Sequence, residues 1–224
     1  MTTPAKKVLM VVTSHDEIDA DHPTGLWLEE FAVPWEIFKA AGFEVRVASP
    51  LGGATPLDPR SLEDNAKVRA WQDAENILQT TEELRLLLTH RFDAVFLPGG
   101  HGTMFDFPEN AELQMLIRSH FEAGSVVAAV CHGPAGLVHV DLKDGSPLVK
   151  GRRLTAFTDA EEKAVELDGL MPFLLESELR ARGADFVAGE LWGSHVEVDG
   201  NLVTGQNPAS SAAAAEAVVA LLKS

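Results

Sequence analysis

The sequence holds a single cysteine, Cys131, among 224 residues. One cysteine forms no disulfide within the chain, so the fold must rest on its core, and the expected setting is a reducing cytoplasm. Basic residues are scarce: 18 Lys and Arg stand against 34 Asp and Glu, a formal charge of −16. A surface with that balance repels nucleic-acid phosphates and anionic membranes, so neither is an expected partner. Long hydrophobic runs are missing too. No stretch approaches the roughly 18 apolar residues of a membrane span. The run Val8–Val12 is too short for the core of a signal peptide. What remains is ample core-forming material, 46% hydrophobic residues, which argues against disorder.

Short apolar runs alternate with longer helical patterns. Val8–Val12, Glu44–Ala48, Ala94–Leu97 and Val126–Val130 read as strands. Leu26–Ala41, Glu82–His90 and Asn110–Ala123 read as helices, the first and third stopped by Gly42 and Gly124. Near-continuous aliphatic strands in β-α-β order predict an α/β fold with a mainly parallel sheet covered on both faces. The second half is less regular. Arg153–Phe157 and Asp185–Ala188 predict short strands, and Glu161–Leu167 and Pro172–Arg182 predict helices. Asp199-Gly200 predicts a hairpin turn, and Pro208–Leu222 a closing helix. Leu51–Asp73 predicts a surface insertion. No linker divides the chain, so residues 1–224 are expected to form one domain.

Cys131 follows the apolar run Val126–Val130 and precedes His132-Gly133-Pro134-Ala135. A nucleophile on a tight strand-to-helix turn needs small neighbours, which Ala129 and Gly133 supply. A helix starting there would aim its free N–H groups at the sulfur, lower the thiol pKa and stabilise an oxyanion. An exposed thiolate of that kind would also oxidise readily to a sulfinate. The competing reading is a packed core thiol, since free cysteine is among the most buried residue types. Pro98-Gly99-Gly100-His101-Gly102 follows the preceding strand and falls at the same carboxyl edge, where ligands bind in open α/β folds. Amides of Gly99 or Gly100 could there reach a substrate oxygen. Glu29 and Glu30 lie among Leu26, Trp27, Leu28, Phe31 and Ala32. On so apolar a helix at least one of them points inward or sits at an edge, and a buried carboxyl has a raised pKa and can shuttle a proton.

Five blocks together resemble the ThiJ/PfpI superfamily, and more closely its glyoxalase III and heat-shock chaperone branch. They are Thr24–Glu30, Pro98–Asp106, Ala128–Ala135, Thr155–Asp159 and Leu202–Ser210. The resemblance implies a flavodoxin-like three-layer α/β/α sandwich, homodimeric, with a nucleophile elbow and no metal or cofactor. It implies Cys131 as nucleophile, His132 as the adjacent histidine, and Glu30 rather than Glu29 as the buried acid. Spacing within the resemblance aligns the third triad member with Glu162, leaving Glu161 and Asp159 as alternatives. The main-chain amides of Gly100 and His132 would form the oxyanion site, with Gly99 and His101 beside it. The implied activity is glutathione-independent conversion of methylglyoxal or related 2-oxoaldehydes to 2-hydroxy acids, with deglycase or stress-response chaperone activity as companions. A cysteine peptidase or amidase and a holdase without relevant catalysis are the alternatives.

Two further clusters differ from that pattern. His195 and Glu197 have the His-x-Glu spacing of class I glutamine amidotransferases and would share one face of a strand. With Val196 and Val198 on the buried face, the pair is expected to face solvent. His15, Asp16, Glu17, Asp21 and His22 form a His/acid cluster, expected to be a solvated loop rather than a metal site.

Overall fold

Alternating residues of each central strand enter opposite cores, and this places the sheet in the middle of the molecule. The computed structural model describes residues 4–224. Val8, Met10 and Val12 pack into one apolar cluster, while Leu9 and Val11 pack into the other. Ala94 and Phe96 divide from Val95 and Leu97 in the same way, and Val126, Ala128 and Val130 from Val127 and Ala129. A strand covered on both faces has no need of polar alternation, so these segments are aliphatic throughout.

The central sheet has seven strands: β1 (Lys7–Val11), β2 (Glu44–Ser49), β3 (Glu82–Glu83), β4 (Ala94–Leu97), β5 (Val126–Val130), β6 (Val196–Asp199) and β7 (Leu202–Gly205). Their order is β6-β7-β5-β4-β1-β2-β3. All neighbours are parallel except β6 and β7, which form an antiparallel hairpin closed at Gly200, with φ 61°. Four helices bear on the site or its support: α1 (Leu28–Ala40), α2 (Ala111–Glu122), α3 (Asp159–Ala164) and α4 (Ser211–Lys223). On one face, α1 buries Leu28, Phe31, Ala32 and Phe38, and α4 buries Ala214, Ala215 and Val218. On the other, α2 buries Leu113, Leu116, Ile117 and Phe121. Each of the larger of these side chains contributes roughly 1.5–3 kcal/mol when fully buried. The α/β/α sandwich is therefore observed. Its parallel strands β1, β4 and β5 bring the segments after Val11, Leu97 and Val130 to one edge.

Several elements differ from the sequence expectation. Glu82–His90 is not a helix: Glu82–Glu83 is the edge strand, and Leu84–Leu87 is a 3-10 turn. Arg46 on β2 bonds Glu82, and Leu84 and Leu87 are buried three residues apart, which suits a 3-10 turn. The strands at Arg153 and Asp185 are only two residues each, paired with each other in a separate parallel ribbon. Helix α3 stops early because Glu166 takes the left-handed backbone (φ 60°). The segment Leu51–Asp73 is more than a surface insertion. It contains the 3-10 turn Pro59–Leu62 and the helix Asn65–Ala70, and it buries Asp58 completely.

Candidate active site

Cys131 sits at the end of β5 with φ 59°, a left-handed backbone that a non-glycine residue rarely adopts. Hydrogen bonds fix it from both sides: its N–H donates to Gly205 O at 2.9 Å, and its carbonyl accepts from Phe157 N at 2.8 Å. The turn is strained as a nucleophile elbow is. Opposite it runs the loop after β4. A Cβ on Gly99 would lie 2.6 Å from His132 N and 2.8 Å from Glu30 Oε2, so only glycine lets the two loops meet. Gly100, at φ 106°, would meet Gly25 O at 2.2 Å.

His132 lies directly beside the thiol, with Nδ1 3.4 Å from Cys131 Sγ. Its Nε2 is 2.7 Å from Glu162 Oε2. The other Glu162 oxygen is 2.8 Å from His101 Nε2, and His101 Nδ1 is 3.0 Å from Arg60 Nη2. The guanidinium can only donate, so His101 Nδ1 accepts and its proton sits on Nε2. Glu162 then accepts from both rings, and the lone pair of His132 is left on Nδ1, toward the sulfur. Asp58 anchors the far end, taking Arg60 Nε at 2.9 Å and the Thr24 hydroxyl at 2.9 Å.

The proton affinities follow from this arrangement. Burial alone would raise Glu162, but the charge and hydrogen bonds of His132 and His101 outweigh it and hold the carboxyl well below the usual range. Burial, then the neighbouring His132, lowers His101 to about 4, so its ring is neutral near pH 7. Glu30 is fully buried on α1, and that burial raises it to about 8 despite the bonds it receives. One of those is from Gly99 N to Oε2 at 2.7 Å; Oε1 has no partner among the described residues. Glu29 is only half-buried and lies 3.5 Å from Lys67.

The low-pKa thiolate expected at Cys131 is not what the geometry makes. Burial, reinforced by the Glu30 charge, pushes the thiol well above its ordinary value. The element after the elbow is a five-residue 3-10 turn, Gly133–Leu137, too short to bring a helix dipole to bear. With Cys131 4% exposed, the premise for ready sulfinate formation is removed as well. The His132 amide still faces the sulfur, and the Gly100 amide donates to no acceptor among the described residues.

His101, His132 and Glu162 offer three metal-type donor atoms within 4.8 Å of one another. Each is satisfied by the others, and the Arg60 guanidinium beside His101 disfavours a cation. The His15 to His22 segment contains a small, mostly exposed ribbon, Glu17–Asp19 paired with His22–Pro23, and the half-buried His15 ahead of it stacks on Phe105 at 4.7 Å. The solvent-facing expectation for His195 and Glu197 is overturned. Glu197 is 8% exposed while Val198 is 47% exposed. Arg153 reaches in from the neighbouring ribbon to bond Glu197, and His195 Nε2 lies 3.0 Å from its carboxylate. Neither lines the cavity at Cys131.

That cavity has a volume of about 390 Å³, with Cys131 and His132 at its base and Trp27, Phe157 and Trp192 among its walls. Asp159 is not in the network; its carboxylate accepts from the Ser177 amide at 3.3 Å, and its own amide donates to Glu176 Oε2 at 3.0 Å. Glu161 is fully buried but bonds Thr158, Gln206, Asn207 and the Trp192 amide, not His132. Sequence reasoning passed over Arg60 and Asp58, which lie in a stretch without periodicity, and gave Trp192 no role.

A family model described as DJ-1/PfpI matches residues 24–221. The chain belongs to the DJ-1/PfpI family. Glyoxalase 3 of Candida albicans is 31% identical to it, over 96% of this chain and 97% of that protein. Glutathione-independent glyoxalase HSP31 of Saccharomyces cerevisiae is 32% identical over 97% and 98%. The crystal structure of glyoxalase III from Candida albicans superposes with a TM-score of 0.88 at 30% identity, covering 96% of each chain. No helix among the described residues is long and apolar enough to cross a membrane.

Proposed function

We propose that this DJ-1/PfpI protein is a glutathione-independent glyoxalase that converts methylglyoxal and related 2-oxoaldehydes to 2-hydroxy acids. The observation that carries the reading is the fully buried Glu30, bonded at Oε2 by the Gly99 amide at 2.7 Å, beside a Cys131–His132–Glu162 array. In this reading the Cys131 thiol gives its proton to His132 Nδ1 as the sulfur adds to the aldehyde carbon, forming a hemithioacetal. The amides of Gly100 and His132 hold the oxyanion. Glu30, whose pKa of about 8 keeps both protonation states accessible near neutrality, takes the C1 proton and returns it to C2 through an enediol. The resulting Cys131 thioester is hydrolysed by water, releasing the hydroxy acid and restoring the thiol. The aldehyde carbon is oxidised and the ketone carbon reduced, so no external oxidant is needed. Cys131 supplies the sulfur that glutathione would otherwise provide.

The family relatives named as glyoxalases support the reading at full length. Amide hydrolysis by the same triad is the second reading, favoured by the Sγ–Nδ1 approach of 3.4 Å. It gives no task to the buried Glu30 carboxyl, which sets it behind the first. The test is to incubate the protein with methylglyoxal without glutathione and measure both loss of aldehyde and gain of lactate. Stoichiometric lactate supports a glyoxalase; aldehyde loss without lactate, or peptide cleavage alone, counts against it. We also propose a homodimer, as the family resemblance implies, in a reducing cytoplasm, which the single cysteine suits; a monomer mass by light scattering would remove the dimer.

A further inference from the structure

The glyoxalase reading leaves the walls of the cavity unexplained. At about 390 Å³ the cavity falls in the range that encloses drug-sized ligands, whereas methylglyoxal has only three carbons. Its walls include aromatic rings set in a chain of contacts from the base outward. Phe157 packs against His132 at 4.4 Å between ring centroids with the rings tilted by 35°, and Trp192 lies 5.8 Å from Phe157 at an interplanar angle of 58°.

Trp192 is held in place at a cost. Its φ is 61°, a conformation that a large side chain adopts only under constraint. The indole is not placed there to fill the core, because the residue is 46% exposed. The constraint comes from Glu161, a fully buried carboxylate. Its Oε1 accepts from Trp192 N at 3.0 Å, Gln206 Nε2 at 3.0 Å and Asn207 Nδ2 at 2.8 Å, while Oε2 takes Thr158 N at 3.0 Å. Strain of this kind clusters at ligand clamps. Here it presents an apolar ring at the cavity instead of burying it in the fold.

We propose that Trp192 and Phe157 form an aryl-binding wall, and that aryl 2-oxoaldehydes are better substrates than methylglyoxal. This rests on the glyoxalase reading. The aldehyde carbon sits at Cys131 and the aryl ring lies against the indole. Phenylglyoxal and water then give mandelate by the same steps: sulfur adds to the aldehyde carbon, its proton moves to the ketone carbon, and water cleaves the thioester. Trp192 acts on specificity and not on the reacting atoms.

The experiment compares kcat/KM for phenylglyoxal to mandelate with that for methylglyoxal to lactate, in wild type, Trp192→Gly and Trp192→Phe. Glycine accepts the positive φ, so the first variant removes the ring without adding backbone strain. The wild type should favour phenylglyoxal by about tenfold or more, Trp192→Gly should lose that preference through a raised KM, and Trp192→Phe should keep most of it. Equal or poorer use of phenylglyoxal by wild type, or a preference intact in Trp192→Gly, overturns the wall. Equilibrium binding separates this from the parent reading. In a Cys131→Ala background, mandelate binding tighter than lactate, and weakened by Trp192→Gly, supports the wall even if neither aldehyde is turned over. Equal binding of the two acids overturns the wall while lactate formation from methylglyoxal leaves the glyoxalase standing.

Discussion

Glu162 reaches His132 Nε2 at 2.7 Å with one carboxylate oxygen and gives the other to His101 Nε2 at 2.8 Å. A carboxylate shared between two rings in this way fixes both tautomers at once, and it leaves the His132 lone pair on the side of Cys131. Glu162→Gln replaces one acceptor oxygen by an N–H donor and so breaks that assignment. Turnover should fall by about 10³–10⁴-fold, with the fold retained by circular dichroism. A loss below tenfold would show that Glu162 does not orient His132.

Arg60 bears on the same network from its far end. Burial and the neighbouring His132 are the larger causes of the lowered His101 pKa, and the Arg60 charge adds to them. Removing that charge in Arg60→Met also frees Nδ1 to take a proton, so the His101 pKa should rise. The acid limb of kcat/KM should move to higher pH. On that limb, moving the midpoint up by one pH unit leaves about tenfold less neutral His101, so the loss of activity should be larger at pH 5 than at pH 8. A limb that does not move removes Arg60 from the network.

Glu30 links activity to stability with a definite sign. Its carboxyl loses a proton near 4.5 when unfolded and near 8 when folded. Its contribution to stability is therefore fully present below pH 4.5 and is lost as the pH rises to 8, by up to about 1.4 kcal/mol per pH unit. Glutamine has no such proton to lose. Glu30→Gln should cost about 10²–10⁴-fold in turnover, and its melting temperature relative to wild type should be higher at pH 8 than at pH 5. A difference independent of pH would contradict a protonated Glu30.

A buried thiol with a raised pKa reacts slowly. Alkylation of Cys131 by iodoacetamide at pH 7 should be at least about tenfold slower than that of free cysteine, and should keep rising above pH 9. A rate that levels off below pH 7 would restore the thiolate that the sequence suggested.

That discrepancy shows where sequence reading reaches its limit. The elbow was legible because its requirements are local: an aliphatic run, then small residues on both sides of Cys131. The parallel sheet was legible from runs with no polar alternation. Glu30 could be chosen over Glu29 only through the resemblance, because both sit on one apolar helix. The thiol pKa depends on burial and on Glu30, a residue about 100 positions away in the chain, and no local pattern carries that. Arg60 and Asp58 were hidden in Leu51–Asp73, where there is no period to read. His195 and Glu197 were misplaced because Val198 was assigned inward, whereas Arg153 draws Glu197 toward the adjacent ribbon.

The central claim is that the Cys131 sulfur carries the substrate. Lactate formation from methylglyoxal, without glutathione, compared between wild type and Cys131→Ala, tests it most directly. The account predicts steady turnover in wild type and none above background in Cys131→Ala. Undiminished lactate formation by Cys131→Ala would contradict it.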